Sequence, residues 1–154
     1  MAAFDYFLKI DGVPGESTDA MHKGEIDVEA WSWGETHQSG GAGRVAMSDF
    51  SFTIALSKAS PKLFLACAEG DHIKGAWLTA RRAAGKDADY FLKWTFADLL
   101  VSSYQTGAAT GQAPRDQVSL NFNKIEVEYK EQKADGSLGP EVKQKYDYAA
   151  NKKI

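Results

Sequence analysis

Cysteine is nearly absent from this chain. Cys67 is the only one in 154 residues, so no disulfide can form within it, and a reducing folding compartment is expected. Long apolar runs are missing too. No stretch approaches the roughly 20 residues a membrane-spanning helix needs, and the opening MAAFDYFLKID has no charged segment followed by a long apolar one. The expectation is no membrane insertion and no signal peptide, so that any exit from the cell bypasses the general secretory route. Blocks of one charge sign are also lacking: 18 Lys and Arg are interspersed with 21 Asp and Glu, for a net charge of −3. A nucleic-acid partner would ask for a basic face, and none is set up. Histidine is scarce, and His22, His37 and His72 stand too far apart for any two to share the i, i+4 spacing that presents a metal from a helix.

What is present is a series of β-type runs punctuated by turn residues. At this length the chain makes one domain, residues 1–154, burying about 70% of the surface its unfolded form exposes. The most informative run is Glu25 to His37, EIDVEAWSWGETH, which reads as one long strand with side chains to bury on both faces. Ile26, Val28 and Ala30 fall on one side of the alternation, Trp31 and Trp33 on the other. Either a bulge switches the phase between Ala30 and Trp31, or the second face is covered by another layer, by the helix or by another subunit.

The other runs are Tyr6 to Ile10, Ser48 to Leu56, Ala76 to Ala83, Asp89 to Tyr104, Gln117 to Lys130 and Val142 to Tyr148. In Ser48 to Leu56, Phe50, Phe52, Ile54 and Leu56 share a face, as in a strand over a core. In Gln117 to Lys130 the buried phase slips near Asn123-Lys124, as where one strand crosses between two packed sheets. One helix interrupts the strands: Ser60 offers an N-cap hydroxyl, Pro61 suits the first helical position, Lys62 to Glu69 favours helix, and Gly70 supplies a left-handed C-terminal residue. At about ten residues it must dock on the sheet to persist. The expected fold is mainly β, two packed antiparallel sheets forming a β-barrel with one short flanking α-helix.

Catalytic and cofactor readings fail on inspection. Cys67 lies among Leu63, Leu65, Ala66 and Ala68, the setting of a small core residue rather than a nucleophile. Gly85-Lys86 fails as a phosphate loop, because position 80 is alanine where glycine is required and Asp87 replaces the Ser or Thr that holds magnesium. Gly40, Gly41 and Gly43 lead into a strand rather than a helix, so no helix dipole points at a phosphate. Arg81 and Arg82 read as a solvated strand end rather than an anion site. No catalytic, cofactor-binding or metal-binding residue is assigned, and no cofactor is expected.

Several strings then resemble one family in order and spacing: YFLKIDGVPGES at Tyr6 to Ser17, HKGEIDV at His22 to Val28, WSWG at Trp31 to Gly34, KASPKLFLACAEG at Lys58 to Gly70, and QVSLNFNKIEVEYKEQKADGSLG at Gln117 to Gly139. Together they resemble the Hcp family, the tube proteins of the bacterial type VI secretion system. The resemblance implies a two-sheet barrel with a flanking helix and six copies in a ring, the rings stacking into a hollow tube. It also implies a contractile sheath around the tube, a spike protein at its tip, effector proteins in the lumen, assembly in the cytoplasm, and no catalytic residues. A head-to-tail ring would shield strand edges that a monomer leaves open. The loops Gln38 to Arg44 and Thr106 to Asp116 are then candidates for ring-to-ring contact, with Ser39, Gly40, Gly41, Gly43, Arg44, Arg115 and Asp116 as the contact residues. Composition alone, with four Trp and six Tyr, also admits a monomeric β-sandwich that grips a sugar or peptide with exposed aromatics.

Overall fold

The structure, a computed structural model, describes residues 4–37, 44–82 and 90–154. Eleven strands and one helix follow in the order β1 Phe4–Ile10, β2 Ile26–Val28, β3 Ala30–Ser32, β4 Glu35–His37, β5 Val45–Met47, β6 Phe50–Ala55, α1 Ala59–Glu69, β7 Ile73–Arg82, β8 Leu92–Gly107, β9 Arg115–Gln132, β10 Leu138–Asp147 and β11 Lys152–Lys153. The backbone of the fold is the long antiparallel ladder of β8 and β9, in register from Leu92 opposite Tyr129 to Gly107 opposite Arg115, with a shift between Val101 and Ser103. β7 pairs with β8, β1 with β7 and β2 with β1, while β6 pairs with the first part of β9 and β3 with β6.

This circuit closes through the tryptophan run. It is three short strands rather than one long one. β2 pairs with β1, the chain bends at Glu29, and β3 then pairs with β6, with the Glu29 amide donating to the Thr53 carbonyl at 2.9 Å. Ile26 and Val28 point into the core before the bend; Trp31 and Trp33 pack on it after. The change of phase is thus a break between two strands at Glu29 rather than the expected bulge between Ala30 and Trp31; it leaves Ala30 exposed, contrary to its expected place beside Ile26 and Val28, and lets β2 and β3 join the two sheets into a barrel.

A second corner lies in the main ladder. Val118, Leu120 and Phe122 are buried, and the buried phase resumes at Ile125, as the slip near Asn123-Lys124 predicts. Here β9 exchanges its outer neighbour, from β6 over residues 115–120 to β10 over residues 124–132. The Asn123 carbonyl accepts from the Tyr148 amide at 2.7 Å, and across the ladder Asp98 sits at φ 52°. A non-glycine residue in that region costs about 1–2 kcal/mol, so the corner is built at some strain.

The core is aromatic. Phe50, Phe52 and Phe96 are almost fully buried, Phe50 and Phe96 meet at 4.6 Å between centroids, and Phe96 meets Phe122 at 5.0 Å. Leu56, expected beside Phe50, Phe52 and Ile54, is 52% exposed, because β6 ends at Ala55 and the chain turns toward α1.

The helix ends as expected and begins differently. Gly70 adopts φ 65°, ψ 35°, and its amide donates to the Ala66 carbonyl. At the start, the N-cap position is Lys58, without a side-chain cap, so Ser60 and Pro61 lie inside the first turn. Ser57 takes over part of the capping: its hydroxyl oxygen accepts from the Ala59 amide at 3.2 Å. Ser60 is instead buried, and its hydroxyl donates to the Asp116 carboxylate. Beyond Leu99, β8 has no strand on the edge away from β9 among the described residues, and α1 packs there.

Candidate assembly surfaces

Of the residues expected at a contact, Ser39, Gly40, Gly41 and Gly43 lie outside the described residues, and the other three have different tasks. Arg44 immediately precedes β5, in the β4–β5 hairpin. Its guanidinium donates to the Tyr148 carbonyl and, at 3.0 Å, to the Ala149 carbonyl, and it lies over the Tyr148 ring at 5.4 Å. Arg44 thus ties the hairpin to the C-terminal turn rather than standing free to reach outward. Arg115 is half-exposed and pairs with Glu29 at 2.7 Å, pinning the start of β9 to the bend between β2 and β3.

Asp116 is not a surface residue. Its side chain is completely buried at the first inward position of β9 and holds the first turn of α1 through Ser60. Nearby, burial holds the Tyr104 phenol above its ordinary range, and the negative charge of Asp116 adds to that. One carboxylate oxygen accepts from Ser60, while Oδ1 is buried with no hydrogen-bond partner among the described residues, a costly arrangement. The sequence signal for this was the alternation itself, since Asp116 shares the face of Val118, Leu120 and Phe122.

Arg81 likewise serves the fold. Its side chain is 16% exposed, its fork is taken by both oxygens of Asp19 and by Asp5, and its guanidinium lies over Phe7 at 5.0 Å. Neither a solvated end nor a free anion site describes it. The Arg81 guanidinium holds the Asp19 carboxyl below the usual carboxylate range, whereas burial, with Asp5 and Asp19 adding, raises that of Asp27. His22 stacks on Phe7 at 4.2 Å and contacts Glu25 at 3.1 Å. Among the described residues no three His, Cys, Asp or Glu side chains are grouped to hold a metal ion.

Two surfaces remain open. The hairpin leads from the Phe50 end of β6 toward Ile125 and Val127, where Trp33, Met47, Trp94 and Tyr146 line a cleft of about 330 Å³. Of the expected loop Thr106 to Asp116, residues 108–114 lie between β8 and β9 and leave the ladder at its Arg115 end, the opposite end of the β6–β9 pairing from the β4–β5 hairpin, whose residues 38–43 lie outside the described residues. Between them, the outer positions of β3, β6, β9 and the second half of β8 form a concavity of about 390 Å³ lined by Ser32, Ser51, Thr53, Ser103, Gln117 and Ser119, among others. Among the described residues no charged side chain lines it. Such a face offers hydrogen bonds to many partners without selecting for charge. Trp31 lines this concavity and Trp33 and Trp94 line the cleft, each half-buried with one side packed on the core.

The sequence model of the family described as "Type VI secretion system effector, Hcp" matches residues 7–129. The chain belongs to the Hcp family. It is 42% identical over 143 residues to Protein hcp1 of Pseudomonas aeruginosa strain PAO1, covering 88% of each chain. Hcp1 from Salmonella typhimurium superposes with a TM-score of 0.85 at 38% identity, covering 100% of both chains. Another solved chain, described as a type six secretion system protein, gives a TM-score of 0.92 at 31% identity, covering 99% of this chain and 100% of that one. As an Hcp protein the chain is a structural tube protein of type VI secretion, not an enzyme.

Proposed function

We propose that six copies of this Hcp chain close into a ring, that rings stack into a hollow tube, and that the uncharged concavity on β3, β6, β9 and β8 faces the lumen. That concavity carries the reading. A channel through which unlike proteins pass must not bind any of them by charge, and Ser32, Ser51, Thr53, Ser103, Gln117 and Ser119 offer only neutral hydrogen-bonding groups. The opposed placement of the hairpin and the 108–114 loop supports stacking, because one end of a ring must meet the other end of the next. In this reading the tube assembles in the cytoplasm inside a contractile sheath, bears a spike protein at its tip, holds effector proteins in its lumen, and is ejected bodily. Native mass spectrometry at micromolar concentration should give six times the chain mass of 16.8 kDa, and electron microscopy of concentrated protein should show rings and tubes. A monomer at every concentration refutes it.

A further inference from the structure

The two edges of the β8–β9 ladder define two flanks of the molecule. On the β9 side stand β6 and then β3, and β10 projects from that same side over residues 124–132. On the β8 side, β7 pairs only as far as Leu99, and α1 lies beyond, with Phe64 edge-on to Tyr104 at 6.4 Å. Each flank leaves apolar surface uncovered. Leu92, Tyr129 and Val142 are successive cross-strand partners, so they share one face, the face that further along carries Phe96 and Ile125 into the core. As the strands run past the barrel this face runs out with them, leaving Tyr129 46% and Val142 61% exposed. The reverse face is polar: it carries the pair of Lys145 with Glu126, and Glu128, which accepts from the Tyr90 hydroxyl at 2.9 Å. On the other flank α1 buries Leu63 and Ala66 but leaves Phe64 58% and Leu65 52% exposed.

We propose that these two surfaces are the halves of one contact between copies: the row Leu92, Tyr129, Val142 of one subunit receives the Phe64–Leu65 face of α1 from the next. The proposal rests on the ring reading and names where its subunits touch. Pairing either patch with itself makes a twofold dimer and leaves the other patch in water, whereas unlike patches on opposite flanks repeat head to tail and cover both on closure. An open sheet face also suits a helix, whose ridge of Phe64 and Leu65 lies across the row of side chains. The rims agree in charge. Glu69 and Asp71 follow at the carboxyl end of α1, and Lys152 and Lys153 form the exposed edge strand beside β10.

Leu65→Asp and Val142→Asp test this, each at a position exposed in the subunit, with Met21→Asp, at a residue 62% exposed elsewhere, as the control. Sedimentation velocity across concentrations reads the ring, and circular dichroism with urea unfolding reads the fold; Leu65→Ser and Val142→Ser replace any Asp variant that fails to fold. Both flank variants should raise the concentration at which half the protein is in rings at least tenfold, with Met21→Asp unchanged. Combining Leu65→Lys with Val142→Glu should recover part of the loss seen with each alone. Rings that persist at wild-type concentrations in either folded flank variant overturn the proposed contact while leaving the ring reading standing. A wild type that never forms rings overturns both.

Discussion

Replacing Ser60 with Ala separates two physical accounts of one hydroxyl. If Ser60 capped α1, its loss would cost about 1 kcal/mol, the usual worth of an N-cap side chain. Its hydroxyl oxygen accepts from the Ser57 amide at 3.1 Å, just ahead of the helix, but its O–H donates to Asp116, whose carboxylate is completely buried, and Ser60 itself is 3% exposed. A hydrogen bond to a buried charged group is worth about 1.5–3 kcal/mol, and removing the donor strands the acceptor away from water. The expected loss is thus about 2–3 kcal/mol, read as a shift in the urea midpoint at constant slope. A double-mutant cycle with Asp116→Asn sharpens the test. Once the charge is gone, Ser60→Ala should cost about 1 kcal/mol or less, a coupling outside the 0.3–0.5 kcal/mol scatter of independent sites. A single-variant loss near 1 kcal/mol that adds without coupling to Asp116→Asn would refute the reasoning and return Ser60 to a capping role. The measurement should use dilute subunits, because ring formation adds its own stability by mass action.

At the ladder corner, Asp98→Gly should be more stable than Asp98→Ala by about 1 kcal/mol in urea unfolding, since both lose the exposed pairs to His72 and Lys124 but only glycine relieves φ 52°; equal stabilities would remove the claim of strain. Burial raises Asp27, so its protonated form is favoured in the fold: the stability this contributes is present below the ordinary carboxylate value of 3.8 and is lost as pH rises through the raised value. Asp27→Asn should therefore stabilise the subunit at pH 7 and have no effect near pH 3, and a benefit independent of pH would contradict this. Arg44→Glu should release the hairpin from Tyr148 and Ala149, raising amide exchange at Glu35–His37 and shortening tubes in negative stain while rings persist; unchanged exchange would show that the arginine does not hold the hairpin.

Much of this was legible from residue alternation. Phe50, Phe52 and Ile54 against Ser51 and Thr53 marked β6 and its buried face, and the slip near Asn123 marked the corner, because a period of two leaves no ambiguity where one face is wet. The Glu25 to His37 run was harder, since three short strands, the first two in opposite phase, look like one strand with two apolar faces until their partners are known. Ser60 was misplaced for a related reason. The string Ser57-Lys58-Ala59-Ser60-Pro61 carries two cap-competent hydroxyls, and only the position of Asp116, fifty-six residues on, decides which enters the core. The contact residues were the least legible: a charged residue at a loop end reads as free, while Arg44 and Asp116 are both engaged within the chain by partners far along the sequence.

The closure at Glu29 bears on the order in which the barrel forms. β8, β9 and β10 are joined by short connections and can zip as a local meander, but β1 and β6 pair with β7 and β9 far along the chain, and β2 and β3, with three pairs each, can close the circuit only once both β1 and β6 are docked. Such non-local pairing comes late, because loop closure must precede any return from it. The clasp of residues 26–32 should shut last, and until then Phe50, Phe52 and Phe96 stand open on one side. Pulse-labelled exchange would show amide protection there lagging behind the ladder. A nascent chain at that stage is sticky, and the few residues of the clasp set how long the stage lasts.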